Sequence, residues 1–399
     1  MPMQRKLRAL DWVFFFVADL QTGFGPFIAV YLTSHRWTQA ELGVALGVGS
    51  ASAMLAQIPS GVLVDALRNK AVAAAVALAG IGVSAVLMGW SSAFWSVLLA
   101  QAVQGFASCM LNPALAALTL GLVSGAAVAE RLGRNARFAA IGSAVGAALM
   151  GACGTWVSTQ AVFWLAAALC VPAFLMLRSL GTRTGAPRQT KLRAPDHEAV
   201  LHVLQDRRLL AYIACTLLFH LSNAAMLPLA GVEITKRAHS GASLIIAACI
   251  LVPQFLVALL SPFAGRSADV WGRRVVLFIG FCALPARALL LAVVTDPLWI
   301  IPVQALDGLG GATFGVMTPL IASDLAGDGG RFNLRMGILG LAVGVAATIS
   351  NVTAGAIATD LGTQTAFLAL ALTGCCAVLA VGLAMPETRP LKPVSADGA

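Results

Sequence analysis

Long apolar stretches, each closed by a short polar interruption, recur along the whole chain at about residues 10–32, 40–64, 71–90, 94–123, 137–158, 160–178, 209–232, 242–264, 275–294, 298–322, 334–358 and 365–385. Each matches the roughly 20 residues a helix needs to cross a hydrocarbon core. Twelve membrane-spanning helices are therefore expected, counted here as spans one to twelve. Glycine and alanine recur inside them, as close helix packing in lipid requires. An open sheet would strand its backbone polar groups in hydrocarbon. A β-barrel would need short alternating segments, which are absent.

One polar segment is much longer than the rest. Residues 179–208 hold Gly181, Gly185, Pro187 and Pro195 with a dense set of basic residues. The expected organisation is a six-helix half over 1–178, a linker over 179–208 with a short surface helix near Asp196 to Asp206, and a second half over 209–399.

Composition agrees with a chain that lies mostly in lipid: of 399 residues, 59% are hydrophobic and 11% charged, against about 25% charged in a soluble domain. The formal charge of +9 raises nucleic-acid binding, but the location of the charges argues otherwise. Every Lys and Arg except Arg36, Lys236, Arg237 and Arg287 falls at the termini or in alternate loops. By the positive-inside rule both termini face the cytoplasm of a bacterial inner (plasma) membrane, and no nucleic-acid partner is implied. Met1 to Arg8 is basic and precedes an apolar run, as in a signal peptide. Asp11 and Asp19 interrupt that run, and the segment is long enough to span, so it is read as span one. The eight cysteines all fall in expected spans without metal-ligand spacing, which implies small apolar packing, no metal and no cofactor.

The two halves repeat. Gly61 and Asp65 after span two reappear as Gly265 and Asp269 after span eight. Gln101 and Gly105 of span four reappear as Gln304 and Gly308 of span ten. Asn135 and Arg137, with Gly142 and Gly146, reappear as Asn333 and Arg335 with Gly340 and Gly344, and Pro26 matches Pro228. Ordered matches at a nearly constant shift indicate duplication. Paired repeats around a midplane site are characteristic of secondary transporters.

The loop Gly61-Val-Leu-Val-Asp65-Ala-Leu-Arg68-Asn-Lys70 and its copy Gly265-Arg-Ser-Ala-Asp269-Val-Trp-Gly272-Arg273-Arg274 resemble the signature loop of the major facilitator superfamily. The first copy lacks the later glycine and one terminal basic residue. The resemblance, which covers the whole chain, implies an all-α fold of twelve transmembrane helices in two pseudo-symmetric halves; a monomer is expected. It also implies gating latches, Asp65 facing Asn333 and Arg335, and Asp269 facing Asn135 and Arg137. Gly61, Arg68, Gly265 and Arg273 belong to the same loops.

An ionisable group deep in lipid costs about 2.5 to 3.5 kcal/mol on insertion scales, so each one suggests a function. Asp19 lies in span one ahead of Gln21, Gly23, Gly25 and Pro26, a run able to break the helix. His220 and Asn223 lie at matching depth in span seven. Gln101, Gln104 and Asn112 lie in span four, and Gln304 and Asp307 in span ten. The family resemblance puts spans one, four, seven and ten around the central cavity. Asp19 is the first candidate for proton coupling because burial favours its neutral form, with Asp307 second and His220 third. Gln21, Gln101, Gln104, Asn112, Asn223 and Gln304 are candidate solute contacts. Arg287 of span nine, peripheral by the resemblance, is read as half of a structural ion pair or as an anion site. With no Lys or Arg on spans one, four, seven and ten, the cavity is expected to suit amphipathic or cationic compounds.

The expected function is secondary active transport of a small organic solute by alternating access, coupled to protons. The glycines of span five, Gly142, Gly146, Gly151 and Gly154, resemble those of drug antiporters and favour efflux. The proline usual in that pattern is missing, as is the span-four arginine of many proton-coupled members, replaced by Gln101, so uptake by symport is the alternative. A phosphate-binding loop, a serine elbow and a metal set are all absent from the sequence, which speaks against a pump or an intramembrane enzyme. A sensor without transport is the remaining alternative.

Overall fold

The computed structural model describes residues 3–22, 24–67, 69–123, 127–180, 203, 205–238, 240–326 and 332–389. Most of the linker 179–208 lies outside them. The described residues are nearly all helical and contain no strand. Span one is Met3–Thr22 with Pro26–Ser34, span two Gln39–Ala66, span three Lys70–Trp90, span four Phe94–Leu122, span five Ala127–Trp156 and span six Ala161–Ser179. In the second half, span seven is Arg207–Asn223 with Met226–Arg237, span eight Ala242–Trp271 and span nine Arg273–Val293. Span ten is Ile300–Val303 with Ala305–Ala326, span eleven Phe332–Asp360 and span twelve Thr363–Leu383. Eleven of these meet the length and apolarity needed to cross a membrane among the described residues. The other, span two, is 28 residues long.

The packing of the first half is repeated in the second. Span one packs on spans five and six, span two on four, and span three on four and six. In the second half span seven packs on eleven and twelve, span eight on ten, and span nine on ten and twelve. The halves meet through two equivalent pairs, spans two with eleven and five with eight, and through the second segments of spans one and seven. That is the pseudo-symmetry the repeat implies.

Two helix breaks sit at corresponding places. Pro26 lacks an N–H and opens the second segment of span one after Gly25. Span seven breaks between Asn223 and Met226, where the freed N–H of Ala225 donates to the Ser350 hydroxyl at 3.2 Å. Broken helices in hydrocarbon are tolerated where neighbours satisfy the backbone or a cavity is lined.

Met3 and Arg389, the first and last described residues, lie at one face of the bundle, called here the terminus face, and the halves close at the opposite, far face. There Gln39 donates to Thr363 Oγ1 at 2.6 Å and the N–H of Ala40 to Thr359 Oγ1 at 2.8 Å. Span five meets span eight where Gly151 faces Ala247 and Gly154 faces Ser243. Exposed tryptophans stand at both rims: Trp90, Trp95, Trp156 and Trp299 at the far face, and Trp12 and Trp271 at the terminus face. They form the interfacial belt expected of a membrane-embedded bundle.

Candidate functional site

A cavity of about 470 Å³ lies between the halves at the level of the two breaks. Phe24, Gly25 and Pro26 contribute from the break in span one, and Asn223, Ala224, Leu227 and Pro228 from that in span seven. Gln101, Gln104 and Ser108 of span four, Ser50 of span two and Asn351 of span eleven supply polar groups. Its charged wall is Arg287 with Asp307.

Arg287 organises that wall. Its Nη1 donates to Asp307 Oδ1 and to Asn223 Oδ1, each at 2.6 Å, and its Nη2 donates to Gln304 Oε1 at 2.6 Å. The Arg287 side chain is 2% exposed and that of Asp307 is 25% exposed. The guanidinium therefore sits behind, and the carboxylate stands at the cavity. Span nine delivers Arg287 because its neighbouring face packs on span ten, where Gly280 takes the Thr313 side chain in close contact. The ion-pair reading of Arg287 holds. Its peripheral placement does not, because the side chain is long enough to reach past the span-nine backbone between spans seven and ten. The inference from a cavity free of basic residues is corrected with it.

The other expected residues are divided. Gln101, Gln104, Asn223 and Asp307 line the cavity, and Gln304 is fully buried directly behind Arg287. Gln104 donates to Ser108 at 3.0 Å. Asp19 is 1% exposed, stands outside the cavity lining, and packs against Gly146 of span five with its Oδ1 unpartnered. His220 is set between Phe219 and Phe314, ring centroids 5.2 and 5.0 Å away, with Nε2 unpartnered. Gln21 is half-buried beside the span-one break, and Asn112 is on an exposed helix face away from the cavity. Asn351, buried and with its side-chain oxygen unpartnered, joins the site without having been expected. Its adjacency to Ser350 deep within span eleven was the available signal.

The first latch lies largely outside the described residues, and the second makes other contacts than those expected. Arg68, the surroundings of Gly61 and the side chains of Asp65 and Asn333 lie outside the described residues, and Arg335 is half-buried. Around Gly265 and Asp269 the geometry is clear: Arg273 donates to Asp269 at 2.9 Å and to Asp324 of span ten at 2.9 Å. The backbone N–H groups of Arg273 and Arg274 donate to the Glu387 carboxylate. Gly272, at φ +95°, makes the turn with Glu387 against its Cα, a place where a Cβ would be strained. Asn135 donates to Thr119 within its own half, and Arg137 is exposed. The expected contact of Asp269 with Asn135 and Arg137 is thus not made. Spans five and eight meet near Ala247, about 33 Å along the helix from Asp269 at 1.5 Å per residue.

A basic cluster closes the terminus face of the first half. Asp11, 2% exposed, receives Arg131 at 2.7 Å and Arg134 at 2.8 Å. Span five begins ahead of its apolar run and carries both arginines there.

A model described as Major Facilitator Superfamily matches residues 11–252 and 212–399. The chain belongs to the major facilitator superfamily. This transporter is 33% identical over 394 residues to an MFS-type transporter found in two strains of Mycobacterium tuberculosis, covering 96% of this chain and 94% of that one. Its fold is similar to that of the nucleoside transporter NupG, with a TM-score of 0.82, 13% identity, and coverage of 96% of this chain and 98% of the other. A POT family transporter in complex with a thioalcohol conjugated peptide is similar at a TM-score of 0.76 and 13% identity, covering 95% and 96% of the two chains.

Proposed function

We propose that this transporter carries a small organic solute through the central cavity by alternating access, driven by protons, with Asp307 as the coupling carboxylate. The observation that supports it is the Arg287–Asp307 pair: a buried cation holds an acid whose other side faces the cavity. A carboxylate displaced from its cation in a poorly solvated site takes up a proton, since the charged form alone is costly there. Asp19, unpartnered against Gly146, is a second place for a proton.

Coupled movement of solute and proton in one direction is the reading the pair favours. Export by antiport rested on the glycines of span five, and these have packing roles. Gly142 accommodates the Phe15 backbone, Gly146 accommodates Asp19, and Gly151 and Gly154 meet span eight. We place both termini in the cytoplasm of a bacterial inner membrane. In support, the far-face cations Lys236 and Arg237 are paired with Glu233, whereas the basic loops gather at the terminus face.

The test uses purified protein in proteoliposomes under an imposed pH gradient, screened against labelled metabolites and drugs. Wild type should concentrate a solute, and Asp307→Asn should exchange it in counterflow without concentrating it. Accumulation by Asp307→Asn against a gradient would remove Asp307 from the coupling role.

A further inference from the structure

The groups around Arg287 offer more hydrogen-bond donors than acceptors. The Arg287 fork and the amides of Gln304 and Asn223 face three oxygens that accept from Arg287, one each on Asn223, Asp307 and Gln304. Arg287 Nε and Gln304 Nε2 are buried and donate to nothing among the described residues. Buried donors are ordinarily paired, and a site left rich in them discriminates strongly for a ligand that supplies acceptors.

Resting on the transport reading above, we propose that the solute carries a carboxylate, which replaces Asp307 on the Arg287 guanidinium while Asp307 takes a proton. Carboxylate matches the planar guanidinium fork in two parallel bonds. A single negative charge also fits the electrostatics: Arg287 is the one cation among the described lining residues, so a dianionic phosphate would remain half-compensated. The exchange conserves charge. One carboxylate enters, one proton joins Asp307, and the wall is neutral before and after. The apolar side chains of Phe24, Leu46 and Leu227 lie across the cavity to hold the rest of an amphipathic acid.

Among the groups around Arg287, the proton falls to Asp307. Facing Arg287 from span eight is the thiol of Cys249, and His220 on span seven is one turn from Asn223 with its ring between Phe219 and Phe314. The described lining residues of spans one, two, four and eleven include no titratable group.

Matched probes test this: benzoate, benzamide and benzylammonium, with lactate and indole-3-acetate as further carboxylates, are titrated into the purified protein and read by thermal stabilisation. At least one carboxylate should stabilise wild type where benzamide and benzylammonium do not. Its affinity should fall about tenfold per pH unit between pH 6 and 8, the linkage slope for one proton taken up on binding. Asp307→Asn should bind that carboxylate as tightly or more tightly without the pH slope, and Arg287→Gln should abolish binding. The double variant Arg287→Gln with Asp307→Asn, which leaves no buried charge unpaired, guards against a folding defect and should also fail to bind. Absence of any carboxylate-specific shift overturns the proposal, as does retention in the folded double variant. Carboxylate binding without counterflow would sink the transport reading alone. Counterflow confined to neutral or cationic solutes would sink this inference alone.

Discussion

Gly43 of span two and Gly355 of span eleven cross at the far face so closely that a Cβ on Gly355 would lie 3.0 Å from the Gly43 Cα. A Cβ on Gly43 would in turn meet the backbone oxygen of Asn351 and lie 3.1 Å from the Gly355 Cα. The contact joins the two halves backbone to backbone. Gly43→Ala must wedge them apart, because neither helix can yield locally. Overpacking of this kind costs about 1–3 kcal/mol, and the strain falls on the conformation closed at the far face. A single cysteine placed near Gln39 should be labelled from the far side several times faster in Gly43→Ala than in its parent. Equal rates would show that the crossing does not gate that face.

The same face carries a polar lock. Thr363 accepts from Gln39 and donates to Glu233 Oε1 at 2.7 Å, and Glu233 Oε2 pairs with Arg237 at 2.8 Å. Thr363→Val keeps the shape and removes both bonds, leaving the largely buried Gln39 amide unpaired at a cost of about 1–3 kcal/mol. Faster opening at the far face should follow, with labelling as the readout. Gln39→Leu combined with Thr363→Val should restore part of the loss.

The Arg287–Asp307 pair predicts a non-additive stability pattern. Arg287→Gln strands the Asp307 carboxylate and should destabilise by about 3–5 kcal/mol, whereas pairing it with Asp307→Asn should recover most of that loss. Thermal unfolding of the two singles and the double reads the coupling directly. Additive losses would mean that the two side chains do not act as a pair.

Gly146→Ala is expected to be more disruptive than an alanine at the unobstructed Gly337. Its Cβ would lie 2.9 Å from the Asp19 Cα, with the carboxylate closer still, whereas a Cβ at Gly337 meets nothing within 4 Å. Loss of folded protein by size-exclusion chromatography should therefore be confined to Gly146→Ala. If Gly337→Ala loses as much, close packing of spans one and five is not the cause.

Glu387 gives a pH dependence outside the membrane. Burial by itself would raise its carboxyl, but hydrogen bonds from the backbone N–H groups of Arg389, Arg273, Arg274 and Thr388 hold it below its ordinary 4.5. A group depressed in the folded state stabilises above its unfolded value and loses that contribution as pH falls through the folded one. The stability gap between wild type and Glu387→Gln should therefore be widest near neutrality and close as pH drops below about 4. A gap independent of pH would assign the effect to shape alone.

Hydropathy was enough to read the spans, because in hydrocarbon the backbone must satisfy itself and each crossing needs its own apolar run, and residue matches at a nearly constant shift showed their duplication. The breaks in spans one and seven were partly legible for a local reason, the missing N–H of Pro26. Gln101, Gln104, Asn223 and Asp307 were legible as cavity groups because a polar side chain in such a helix is costly unless something uses it and the family resemblance put spans four, seven and ten around the cavity. The same argument misplaced Asp19, which is buried against the glycine of a neighbouring span. The partners of Asp269 depend on where two bundles meet, and no loop motif encodes that. Arg287 shows the limit most plainly. Its charge and depth stand in the sequence, yet only the packing of span nine against span ten brings it to Asp307, because a long side chain takes its function from the space its neighbours leave.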